Sequence, residues 1–171
     1  MISADVEKLR AMNREAASRF VQSLLSDCEK AAGSPNFDRL NSQGIILVRA
    51  GHEQVDAVAL NWLHQDLSAR RLDIASALLN GLWHVAYRHS PLEVANVESL
   101  IAARRRIEPQ GDAAYSSLQA LSQALHAKAS VALRNVVSLA LQEILQEKHE
   151  PPVLDKLIHS LAEDALRRGS T

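Results

Sequence analysis

Seven histidines, twenty acidic residues and a single cysteine are the side chains with which this 171-residue chain could do chemistry. Their spacing argues against most of it. No two histidines stand one helical turn apart, and His52-Glu53-Gln54-Val55-Asp56 lacks the second histidine of a zinc-binding helix. That stretch reads as a solvated helix start. The Glu-x-x-His pattern with which facing helices hold paired metal ions does not occur, so Glu143 and Glu147, which share a helical face, are expected in solvent. His84, among Leu82, Trp83, Val85 and Ala86, reads as a hydrogen-bonded boundary histidine and not as a base. No glycine-rich phosphate loop, no G-x-S-x-G elbow and no Cys-His pairing accompanies them. The expectation is a noncatalytic protein with no catalytic residue, cofactor or metal site.

Two groups of residues could bind a partner. Arg104-Arg105-Arg106, with Arg88 or Arg70-Arg71, could meet phosphates, and a helix-turn-helix would supply the groove-reading element. The competing role for the triplet is to decorate a helix C-terminus, where cations complement the dipole. A formal charge of −1 provides no global field for nucleic acid or anionic lipid. Trp62, Trp83 and Tyr87 could line a peptide groove, although aromatics at helical spacing in apolar surroundings usually build the core. The candidate partner-binding set is therefore Trp62, Trp83, Tyr87, Arg104, Arg105 and Arg106. By elimination the leading expectation is a helical adaptor or chaperone that captures a partner helix or peptide in an apolar groove. A dimeric transcriptional regulator binding nucleic acid through the arginines is the alternative, and either could form a homo-oligomer.

These residues must be positioned by helices. Apolar residues make up 47% and charged ones 23%, with six glycines and five prolines, a composition of packed helices and not of disorder or a loop-rich β fold. The length suits one domain, residues 1–171, with a core that needs no disulfide or metal. Cys28, between Leu25 and Ala31, reads as a small buried side chain in a reducing cytoplasm. The acids near the start exclude a basic-then-apolar secretory signal there, and Ile74 to Tyr87 is too short for a membrane span.

Apolar spacing over Ile2, Val6, Leu9, Ala16, Phe20, Leu24, Cys28 and Ala31 predicts one long helix, capped by Ser3 and stopped at Gly33-Ser34-Pro35. A second follows Asn36 with Phe37, Leu40, Gly44 and Leu47 inward, ending at Gly51. His52 to Leu67 returns as the third. The fourth, Leu72 to His89, is apolar around most of its circumference and is expected to be the most buried. Ser90-Pro91-Leu92-Glu93 reads as a capping box opening the fifth helix, which stops before Pro109-Gln110-Gly111. Residues 113–148 allow either one long helix or two. A break near Lys128-Ala129-Ser130, with Ser130 as cap, is preferred because uncapped helices beyond ~25 residues are uncommon. A last helix, from Leu154 to Leu166, is closed by Arg167, Arg168 and Gly169. The expectation is all-α: six to eight helices in a compact bundle or a short stack of helical hairpins.

The tight turns near Gly51, Ser90 and Lys128 recur at about 40 residues, a spacing within the range of stacked helical hairpins and also of an irregular bundle of similar helices. Leu40-x3-Gly44-x2-Leu47-x3-Gly51 resembles the first half of a tetratricopeptide repeat, and Gly81 with His84 echoes it. Ala57 and Ala95 lie past the small-residue position of that pattern, and no proline closes either unit on schedule. His52-Glu53 through Trp62-Leu63 is similar to a helix of small bacterial secretion chaperones built as short tetratricopeptide-like bundles. That resemblance implies a protein or peptide partner.

Overall fold

Alternation of apolar and polar residues at the helical period, cut by glycines, prolines and capping side chains, produces nine α-helices among the described residues. The computed structural model describes residues 2–33, 37–126 and 128–169, with side chains from Val6 onward. The helices are α1 (Ile2–Arg10), α2 (Arg14–Lys30), α3 (Phe37–Arg49), α4 (Asp56–Gln65), α5 (Ala69–Leu82), α6 (Val94–Ile107), α7 (Gly111–Ala124), α8 (Val131–Ile144) and α9 (Pro152–Gly169). A 3-10 turn, Glu53–Val55, leads into α4.

Helices two apart in sequence pack side by side. α1, α3, α5, α7 and α9 form one row, α2, α4, α6 and α8 the other, with the most extensive contact between α3 and α5 and between α5 and α7. α5 lies at the centre, and every residue from Leu72 to Leu82 is buried. Gly44 and Gly81 allow this closeness. A Cβ on Gly81 would stand 2.1 Å from the Asn41 carbonyl oxygen, and one on Gly44 would stand 2.5 Å from that of Leu78. Trp62, Trp83, Leu40, Leu47, Leu78 and Leu100 fill the core around this contact.

Three features depart from the sequence expectation, one through a local cap and two through side chains distant in sequence. The first helix is broken at residues 11–13: the Asn13 side chain accepts from the Ala16 N–H at 2.8 Å and starts α2 afresh. His52, expected in solvent, is buried, and its Nε2 lies 2.7 Å from the Leu9 carbonyl oxygen, which also accepts from the Met12 N–H at the end of α1. The fourth helix stops at Leu82 and not at His89. Glu53 accepts from the backbone N–H groups of His89 and Ser90, and Arg88 donates to the Leu82 and Glu53 carbonyls, so residues 84–92 are held as an irregular connection. Ser90 consequently caps nothing. Its hydroxyl donates to Glu53 at 2.7 Å, and Glu93 stands at the N-cap of α6.

Elsewhere the local signals hold. Gly51, with φ of 91°, follows α3 in the left-handed region, and Ser130 caps α8 by accepting from the Leu133 N–H at 3.1 Å. The stretch 113–148 is thus two helices. Ser68 caps α5 in the same way. Glu150–Pro151 is a cis peptide before α9. The Ser3 side chain and residues 34–36 lie outside the described residues. No helix among the described residues is long and apolar enough to cross a membrane.

Candidate functional site

The structure disperses the six residues singled out from sequence. Trp62 and Trp83 are 1% exposed and belong to the core, so neither can serve as a groove anchor. Each ring is fixed by a polar neighbour. The Arg71 guanidinium lies over Trp62, 4.4 Å from its centroid, and Trp83 Nε1 donates to Asp56 Oδ2 at 3.2 Å. Tyr87 remains at the surface, with Arg49 over its ring. Arg104 is buried: it donates to Ser117 Oγ at 3.1 Å and to Glu147 with both terminal nitrogens. Arg105 is exposed but grips Glu143 with bonds of 2.8 and 2.7 Å. Glu143 and Glu147, expected as solvated carboxylates, are these partners. Only Arg106 of the triplet faces solvent with no ion pair among the described residues.

The other arginines act as staples. Arg70 donates to the carbonyls of Cys28, Glu29, Ala31 and Gly33, capping the end of α2 from another helix. Arg71 pairs with Glu29, whose carboxyl is held below its ordinary range chiefly by that hydrogen bond. Arg88 lies between Glu53 and Asp56, with Nη2 3.4 Å from Asp56 Oδ2. Burial pushes the Asp56 carboxyl up despite Arg88 and Trp83. Burial also raises Glu53, but its bonds from Ser90 and His89 and the Arg88 charge outweigh that and leave it low. All three positions are internal structure.

Besides a cleft of about 510 Å³ among Arg105, Glu108, Glu143 and Lys148, a run of clefts lies along one side of α7. Its first part, about 470 Å³, is lined by Phe37 and Asp38 from α3, Asp73 from α5, and Asp112, Tyr115, Ser116 and Gln119 from α7. The second part, about 210 Å³, adjoins it through Gln119 and continues along Leu118, Ser122, Gln123 and Leu125. Asn80, Val85, Leu161 and Arg168 close it from three other segments. Positions 112, 115, 119 and 122 recur at three and four, so α7 turns one polar face toward the groove along its whole length. A further cleft opens from Asp73 and Asp112 toward Arg70 and Gly33.

Two polar groups of the lining, Asp73 and Asn80, come from α5, the helix with the least contact with water, and Ser76 lies between them on that helix. Asp73, Ser76 and Asn80 share one of its faces at intervals of three and four, and all are buried. Ser116 donates to Asp73 at 2.6 Å, and Asn80 Nδ2 donates to Asn41 Oδ1 at 2.8 Å. Burial pushes the Asp73 carboxyl up; the Ser116 bond counters this, and nearby Asp112 adds to it. Ser76 Oγ and Asn80 Oδ1 have no hydrogen-bond partner. None of these groups was selected from sequence. The available signal is a polar stripe, Asp73, Ser76 and Asn80, inside an otherwise apolar helix.

Chemically the groove offers carboxamides, hydroxyls and an acidic end. No group of three or more His, Cys, Asp or Glu residues placed to hold a metal ion occurs among the described residues. No family model, curated protein or solved structure matches this chain.

Proposed function

We propose that this chain is a noncatalytic protein-binding module, an adaptor or secretion-type chaperone, and that it holds an extended peptide segment of its partner in the groove along α7. The observation that carries this reading is the groove's lining. Tyr115, Ser116, Gln119, Ser122 and Gln123 follow one another along a single helix face beside Asn80. Carboxamides and hydroxyls both donate and accept, as an extended peptide's unpaired N–H and C=O groups require. A bound helix satisfies its own backbone and would need apolar anchors; with Trp62 and Trp83 in the core, the groove has few. From Asp112 to Gln123 the α7 axis runs ~17 Å, the length of about five extended residues. Asp38, Asp73 and Asp112 at one end favour a cationic side chain there.

The nucleic-acid alternative draws less support, because Arg70, Arg71, Arg88, Arg104 and Arg105 are engaged with carboxylates or carbonyls of the same chain. Two binding measurements test the choice. Short peptides with an N-terminal lysine should bind in the micromolar range, and Gln119→Ala should weaken them about fivefold, the worth of about one hydrogen bond. Duplex DNA should show no binding at physiological salt. Tight duplex binding that falls about a thousandfold between 50 and 200 mM salt, with no peptide binding sensitive to Gln119, would overturn the reading.

A further inference from the structure

His149 lies in the connection between α8 and α9 with its side chain wholly out of water. Its ring makes no well-aligned hydrogen bond among the described residues. Nδ1 has no partner, and Nε2 lies 3.1 Å from Glu147 Oε2 without the alignment of a bond. That carboxylate is already committed, since both terminal nitrogens of Arg104 donate to it. A buried polar ring in this condition is costly. Charged groups surround it: Glu147 on its own connection, Arg104 of α6, and Asp155 and His159 of α9. α7 offers Ser117 to Arg104, and Glu143 of α8 pairs with Arg105. Two bonds tie the connection to α9. The His149 N–H donates to Asp155 Oδ1 at 2.8 Å, and His159 Nε2 donates to the Glu147 carbonyl at 3.0 Å. α9 is the last helix of its row and packs on α7 and α8, burying Ile158, Ala162 and Ala165.

We propose that His149 is a proton-operated latch for α9: the neutral ring lets the connection pack inward, and protonation expels it and frees α9 from α7 and α8. A proton gives the ring a charge and two N–H donors in a site shielded from solvent. Keeping that charge in place would draw Glu147 from Arg104, which is itself 5% exposed and would be left with Ser117. Moving the ring outward costs less, because Glu147, Asp155 and His159 are each about a third exposed and the connection therefore borders solvent. Burial holds the ring's pKa below its ordinary value of 6.5, against the pull of Glu147 and Asp155 and with help from Arg104. The open form takes up the proton first, so acid favours it. Once the connection moves, its bonds to Asp155 and His159 go with it, and α9 loses the anchors of its first two turns. Leu161 and Arg168, the α9 part of the 210 Å³ cleft, leave with the helix and widen the groove. The latch operates whether or not that groove holds a peptide.

Hydrogen exchange followed by mass spectrometry tests this on the full chain at pH 7.5 and 5.5, with protection expressed relative to the unfolded chain at each pH. Peptides of α9 should be less protected than those of α5 at both values. Their protection should fall severalfold at pH 5.5, with about tenfold as the limit for one histidine crossing its ordinary value. His149→Gln, neutral at both values, should remove the change in α9, while His126→Gln should leave it in place. If the substitution at position 149 prevents folding, the parent chain still decides. Equal protection of α9 and α5 would mean that α9 leaves only with the whole fold, and α9 protection unchanged by pH would mean that the ring carries no proton into the open form. Either result overturns the latch, as would a pH effect on α9 that persists in His149→Gln.

Discussion

Replacing Gly81 by alanine sets two physical effects against each other. Helix propensity alone favours the change by about 1 kcal/mol, since alanine loses less backbone entropy in a helix. The structure opposes it. The new Cβ would stand 2.1 Å from the Asn41 carbonyl oxygen and 3.0 Å from Gly44 Cα, both backbone atoms of α3. No rotamer relieves such an overlap, so α3 must move from α5 by about an ångström along the tightest seam of the core. Overpacking costs about 1 to 3 kcal/mol, and rigid backbone on both sides places this case at the upper end. The net is a loss of about 2 kcal/mol. With a urea dependence of ~2 kcal/mol per molar, the unfolding midpoint should fall by about 1 M. Gly44→Ala should behave similarly, because its Cβ would meet Leu78 O at 2.5 Å. The double variant should cost less than the sum, since the first substitution has already separated the helices. Urea melts followed by far-UV circular dichroism read all three. An unchanged or raised midpoint for Gly81→Ala would refute the reasoning, because propensity would then dominate and α3 and α5 could not meet at these glycines.

Trp83→Ala should cost about 3 to 5 kcal/mol in the same melts, by emptying a core site and removing one donor from buried Asp56; parental stability would mean that the indole is not buried. Arg104→Met should cost about 2 to 4 kcal/mol, less than a fully buried pair because Glu147 is 32% exposed, and adding Glu147→Leu should recover part of the loss. The melting temperature should fall as pH is lowered from about 7.5 to 5.5. Burial holds the folded His149 below its ordinary value of 6.5, so the unfolded chain takes up the proton first and stability drains below that pH. His149→Gln should flatten the profile, leaving the share due to His126, which burial also lowers. Asp73 has the opposite sign for a carboxylate. Its folded value is raised, so stability is lost as pH rises from 3.8 through that value, and Asp73→Asn should reduce this slope, leaving the share due to Asp56, which burial also raises.

The sequence by itself determined which stretches are helical and where most of them begin and end, because these are local matters. Apolar period sets the inner face of a helix, Gly51 needs a left-handed φ, and Ser130 supplies a cap to a neighbour three residues on. Burial of α5 was legible for the same reason: a helix apolar on all sides has nowhere else to go. Only the tertiary structure decided the rest, wherever a polar group had partners on two ranges. Ser90 had a local role as cap and a distant partner in Glu53, and the distant carboxylate took it. His52 reached back to Leu9, and Arg70 capped a helix some forty residues earlier. The arginines illustrate the limit most directly, since a triplet looks alike in sequence whether its charges meet phosphate or, as Arg104 and Arg105 do, the carboxylates of α8 and the turn after it. The groove was illegible for a related reason. Its lining comes from α3, α5, α7, α9 and one connection, each contributing a few unremarkable amides, hydroxyls and leucines. Spacing along one helix cannot report which faces of five segments converge, because that is set by the close approach at Gly44 and Gly81.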